Sequence, residues 1–176
     1  MRVEITIAGV GGQGSILAGV ILGAAAVSHG GLYAVQTSAY SSELRGGFAA
    51  AWVVLEDEPV LYPRVSAPDI LVAQAQDSIQ RFAGTLKPGG VLIYDRDHIP
   101  APPESIARAH GVAASSLARR ELGTPLAANL VMLGALCRVT GVVEAEALRG
   151  AVRELAPPRH VETNLRALEL GMERVE

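Results

Sequence analysis

The feature that most limits what this 176-residue chain can fold into is a glycine-rich turn set between a strand pattern and a helix pattern. Gly9-Val10-Gly11-Gly12-Gln13-Gly14 has the spacing G-x-G-x-x-G. It follows Val3–Ala8, whose apolar positions predict a strand, and precedes a helix that opens at Gly14 or Ser15 and ends near His29-Gly30-Gly31. In that setting the first glycine permits a tight turn, the second lets a ligand approach the backbone, and the third lets helix and strand pack closely. The start of the helix adds unpaired N–H groups and a positive dipole end, which suit an anion. A close turn without a ligand explains the same string. Gly12 and the Gln13 side chain favour binding, since neither is needed merely to turn the chain.

The rest of the chain repeats the alternation. Strands are predicted at Tyr33–Gln36, Phe48–Leu55, Ile70–Ala73 and Val91–Tyr94, with a hairpin at Glu56–Pro59 leading into a short strand at Val60–Tyr62. Helices are predicted at Asp77–Leu86, Ala114–Leu122, Leu126–Thr140, Glu144–Leu155 and His160–Val175. Strands alternating with helices imply an α/β domain spanning 1–176: a Rossmann-like three-layer slab with a mostly parallel or mixed sheet and helices on both faces. Aromatic residues make up only 4% of the chain, so the core must be built from Ala, Val, Leu and Ile.

Composition removes several functions. The net charge is −3 with no basic stripe, which argues against a nucleic-acid footprint. The one cysteine, Cys137, cannot form a disulfide framework or ligate an iron–sulfur cluster within this chain, and it sits in an apolar run as a buried thiol. No secretory leader pattern opens the sequence, and Ile16–Val27 is too short to span a bilayer, so a cytoplasmic protein is expected. A nicotinamide dinucleotide site wants an acid at the end of the second strand. No acid occurs between Glu4 and Glu43, which disfavours that ligand.

A second informative segment is Tyr40-Ser41-Ser42-Glu43-Leu44-Arg45-Gly46-Gly47. Arg45 offers a planar fork of donors suited to phosphate or carboxylate, and Gly46 and Gly47 allow close approach beside it. The plainer reading is a surface loop with an exposed ion pair, worth little energetically. Taken with the glycine turn, the segment resembles the gamma-subunit family of 2-oxoacid:ferredoxin oxidoreductases. The likeness continues through Pro68–Val72, Asn129–Ala135 and Glu162–Gly171, so it spans nearly the whole chain.

The resemblance implies a subunit without a catalytic centre of its own in an enzyme that converts a 2-oxoacid and coenzyme A into acyl-CoA and carbon dioxide while reducing ferredoxin. The 2-oxoacid is expected to be 2-oxoglutarate or pyruvate, with a lean to 2-oxoglutarate. Thiamine diphosphate, Mg and iron–sulfur clusters are expected in the alpha, beta and, where present, delta partner subunits. Ferredoxin is reached indirectly, and neither nucleic acid nor membrane is a partner. The isolated chain is expected to be inactive, with a homodimer as its form in the absence of its partners. The gamma-type domain serves assembly and, in some members, coenzyme A binding. The binding residues this suggests are Gly9, Gly11, Gly12, Gln13, Gly14, Ser15, Tyr40, Ser42, Arg45, Gly46 and Gly47.

The sequence independently argues against a catalytic centre. No Gly-Asp-Gly segment for thiamine diphosphate occurs, and the four histidines are scattered. Asp95-Arg96-Asp97-His98 is expected to be a turn with capping carboxylates. Ser15 is read as a helix cap, Asn129 and Asn164 as partners of buried backbone groups, and Trp52 as core or interface. The alternatives are a stand-alone nucleotide-binding dehydrogenase and a regulatory ligand-binding module.

Overall fold

In a computed structural model that describes residues 1–41 and 47–176, the apolar alternation becomes one six-stranded sheet. Its strands are β1 (Arg2–Val10), β2 (Tyr33–Tyr40), β3 (Phe48–Glu56), β4 (Ile70–Ala73), β5 (Val91–Asp95) and β6 (Arg108–Val112). They lie in the order β2-β3-β1-β4-β5-β6. β1, β4, β5 and β6 run parallel, while β3 is antiparallel to both neighbours, β1 and β2, so the sheet is mixed.

Helix α1 (Ser15–Ala24) and its π-helical extension Ala25–His29 pack on one face with α3 (Ala114–Leu122), α4 (Ala128–Thr140), α5 (Ala145–Leu155) and α6 (Val161–Arg174). That face holds the main core, in which Ile5, Ile7, Leu22, Val53, Ile93, Leu133 and Leu168 are fully buried. Among the described residues the one α-helix on the opposite face is α2 (Gln76–Phe82), over a small cluster of Leu71, Ala73, Ile79, Leu92 and Ile99. The helices therefore cover both faces, unequally. Trp52 lies half-buried on the thinner side, edge-on to Phe82 with ring centres 6.1 Å apart.

Three elements differ from expectation. Val60–Tyr62 forms no strand. β1 and β2 already occupy both edges of β3, so a hairpin from Glu56 has no edge to join. The segment is pinned instead by Arg2, whose guanidinium donates to the carbonyls of Tyr62 and Arg64 while pairing with Glu4 and Glu56. β2 runs on to Tyr40 because its ladder with β3 continues through Tyr40↔Ala49, carrying polar Thr37 and Ser38 at the sheet edge. β6 is an additional strand, in a segment (RAHGV) that lacks apolar alternation. Its backbone is held by β5 on one side and by the Gly111–Glu176 pair of hydrogen bonds on the other. No helix among the described residues is long and apolar enough to cross a membrane.

Candidate functional site

The glycine turn sits where β1 and β4 part company. α1 leaves β1 toward the thick face and α2 leaves β4 toward the thin one, which opens a crevice at the carboxyl ends of two parallel strands. Two glutamines lace that crevice. Gln13 folds back so that its Oε1 accepts from Val10 N–H at 2.8 Å, and its Nε2 donates to the Gln74 carbonyl at 3.1 Å. Gln74, 3% exposed at the end of β4, donates in return to the Gln13 carbonyl at 3.0 Å and accepts from Ser15 Oγ at 2.9 Å.

This changes the role of two candidate residues. The Gln13 amide is spent on backbone, so it shapes the turn rather than facing a ligand. Ser15 does not cap α1, because the cap position is Gly14 and the Ser15 hydroxyl is turned to Gln74. Gly14 has φ of 76°, in the left-handed region that glycine alone adopts without strain. Asn129, at the start of α4, donates from Nδ2 to the Gly14 carbonyl at 3.2 Å. It thus satisfies a backbone group, as expected, and that group belongs to the turn. Asn164 is half-buried in α6.

The two loops singled out in the sequence meet. Gly11 N–H donates to the Gly47 carbonyl at 2.7 Å, so the Gly47 end of the Tyr40–Gly47 segment lies against the glycine turn, while Ser41 N–H at its other end donates to the Phe48 carbonyl at 3.0 Å. Gly11, Gly12 and Tyr40 are exposed, Gly9 is buried and Gly14 half-buried. Ser42, Arg45 and Gly46 lie outside the described residues. α1 has no acidic residue in its first turn and no side-chain cap, so its positive end is not neutralised from within the helix.

Beyond the crevice, a cavity of about 160 Å³ is lined by Gly12, Gln13, Gln74, Asp95, His98 and Ser115, among others. Asp95 is 2% exposed. Burial pushes its carboxyl above the usual carboxylate range, against hydrogen bonds from Ser115 Oγ at 2.7 Å and Asp97 N–H at 3.0 Å. His98 Nε2 lies 3.0 Å from the same Ser115 oxygen. A nucleophile relay needs the acid to hold the far nitrogen of the histidine. Here both groups converge on the serine, so the cluster is a hydrogen-bonded corner. Asp97 accepts from Ser116 N–H and Oγ at 2.7 and 2.6 Å, at the start of α3. Those bonds outweigh the opposing effect of burial and hold its carboxyl below the usual range. The turn with capping carboxylates is therefore observed.

Cys137 is buried, and burial raises its thiol, which donates to the Val143 carbonyl at 3.3 Å. Among the described residues no group of three or more His, Cys, Asp or Glu is arranged to hold a metal. Sequence reasoning missed Gln74. The signal was its position, the first residue after the buried run ILVA, at the carboxyl end of the strand beside β1.

The family model for pyruvate ferredoxin/flavodoxin oxidoreductase matches residues 4–174. The 2-oxoglutarate synthase subunit KorC of Methanothermobacter thermautotrophicus is 44% identical over 99% of this chain and 96% of its own length. The pyruvate synthase subunit PorC of the same organism is 32% identical, covering 99% and 96%. The ketoisovalerate oxidoreductase subunit VorA of Methanothermobacter marburgensis is 38% identical over 97% of this chain, which spans 36% of that longer protein. In structure, the keto/oxoacid ferredoxin oxidoreductase gamma subunit of Geobacter sulfurreducens superposes with a TM-score of 0.89 at 37% identity, covering 99% and 96% of the two chains.

Proposed function

Because this chain belongs to the pyruvate ferredoxin/flavodoxin oxidoreductase family and is a gamma-type, non-catalytic subunit of a 2-oxoacid:ferredoxin oxidoreductase, we propose that its complex acts on 2-oxoglutarate and that this subunit positions coenzyme A. The substrate reading is supported by the ranking of relatives, 44% identity to a 2-oxoglutarate synthase subunit against 32% to its pyruvate counterpart in one organism. The expected partners are the thiamine- and cluster-bearing subunits of the same enzyme.

One observation carries the coenzyme A role: the Gly11–Gly47 hydrogen bond, which joins the glycine turn to the loop containing Arg45. An anion at this edge would meet the positive end of α1 and the exposed backbone of Gly11 and Gly12, with Arg45 two residues from Gly47 in the chain. Phosphates of coenzyme A match that chemistry. The chain's own part is to bind and orient; proton and electron transfer belong to its partners.

The test is a coenzyme A titration of the assembled complex carrying Arg45→Ala. Loss of a charge-assisted contact is worth about 1.5–3 kcal/mol, so the Kd should rise roughly tenfold to a hundredfold. An unchanged Kd would remove Arg45 from the site.

A further inference from the structure

Between Ile5 and Ser42 the chain contains no Asp, Glu, Lys or Arg, although 19% of all its residues are charged. Part of this stretch is core and needs none. The remainder is surface. On α1 and its extension, Leu17, Val20 and Val27 are 51%, 43% and 51% exposed, and their spacing places them with Ala24 on a single stripe. The stripe lies opposite Ala18, Leu22 and Ala25, which are buried against the sheet. An outward helix face is normally where a soluble chain puts its charges.

The element beside it shows the same omission. β2 is the outermost strand of the sheet, and Tyr33–Tyr40 carries neither a charge nor a proline. Lysines, prolines or bulges usually protect an exposed edge from pairing with other chains. The opposite edge illustrates such protection, since β6 carries Arg108 and is covered in part by the backbone of Glu176. The two uncharged elements form one surface, for the Gln36 amide donates to the Ile16 carbonyl at 3.2 Å and Gly23 lies against Ala34. Tyr40, 74% exposed, continues this surface to the loop whose far end binds the glycine turn.

We infer that the α1 stripe and the β2 edge form the docking face for a sister subunit of the oxidoreductase, which covers it with an uncharged apolar surface. This inference rests on the reading of the chain as a gamma-type subunit. The ketoisovalerate relative supports that choice of occupant: there this module is about a third of a longer polypeptide, so the remainder is held to it covalently. A polypeptide equivalent to that remainder is thus the neighbour that a module of this family is built to meet. Absence of charge on one side calls for absence on the other, because a charge buried there would lose its hydration without a partner. The docking face adjoins the glycine turn, which puts the proposed coenzyme A site at the seam between the positioning chain and its catalytic neighbour.

The experiment is co-expression of the full set of subunits with this chain as wild type, as Leu17→Glu/Val20→Glu, or as Leu61→Glu. Leu61 is 92% exposed on the segment after β3 and serves as a control for added charge. Circular dichroism should show the double variant folded, with an unfolding midpoint close to that of wild type. It should then lose the sister subunits on size exclusion, while Leu61→Glu retains them. Normal association of the folded double variant overturns the inference, as does a double variant that only dissociates a homodimer and keeps its sister subunits. If the wild-type chain itself fails to associate, the subunit reading fails, and that result differs from either of the others. Should the double variant not fold, Tyr40→Glu at the end of β2 supplies the same charge outside the helix and is held to the same outcomes.

Discussion

Gly171→Ala is expected to lower the melting temperature of the purified chain by roughly 4–8 °C, whereas Gly84→Ala should leave it nearly unchanged. α4 and α6 cross where each presents a glycine. A Cβ on Gly171 would overlap the carbonyl of Val131 and come within 2.8 Å of the Ala135 amide, and a Cβ on Gly134 would overlap the carbonyl of Leu168. These obstacles are backbone, so relief requires one helix to move. Overpacking of this kind costs up to about 3 kcal/mol, and alanine's better helix propensity returns about 1 kcal/mol, so the clash prevails by roughly 2 kcal/mol. Gly84 has open space around the equivalent position and keeps only the small propensity effect. Thermal unfolding followed by circular dichroism distinguishes the two. A Gly171→Ala melting temperature at or above that of wild type would mean that the helices are not packed this closely.

The second large effect is expected at Gly14. Alanine there must hold a left-handed backbone, at roughly 1–2 kcal/mol, and its Cβ would lie 2.5 Å from the Asn129 amide nitrogen. Asn129 must then swing away from the Gly14 carbonyl, which keeps the Ala18 N–H at 2.9 Å and loses its second donor. Gly14→Ala should therefore both destabilise the chain and weaken coenzyme A binding by the complex, because the turn that presents Gly11 and Gly12 is displaced. The double variant Gly14→Ala/Asn129→Ala separates the causes. It removes the collision and keeps the backbone strain, so it should recover part of the stability lost by Gly14→Ala and none of the turn geometry. Additive losses in the double variant would show that Asn129 and the turn are not coupled.

The glycine turn and α1 were legible in the sequence because every local signal agreed there: an apolar strand, conformationally free glycines and a long apolar helix. A contact between the two segments was also anticipated, and Gly47, the last residue of the second, makes one with Gly11. The helical C-terminal third was legible from periodicity interrupted by Gly123, Gly141 and Pro157-Pro158. The missed features all depend on residues distant in the chain. β6 is strand only because β5 and Glu176 flank it, and RAHGV has no pattern of its own. The Val60–Tyr62 strand was a sound local reading defeated by a lack of free edge on β3. Gln13 looked like a ligand-facing amide, and only the position of Gln74, across the crevice, shows that its hydrogen bonds are already made. Gly134 and Gly171 lie in helices whose sequence gives no sign that they cross each other there.

The most direct measurement is ferredoxin reduction by the enzyme assembled from purified subunits, with and without this chain, given coenzyme A and either 2-oxoglutarate, pyruvate or ketoisovalerate. The account predicts no reduction by the chain alone, reduction by the complete complex with 2-oxoglutarate ahead of the other two acids, and a large loss when this chain is left out. Reduction of ferredoxin by the chain alone, or a complex that performs equally well without it, would contradict the account.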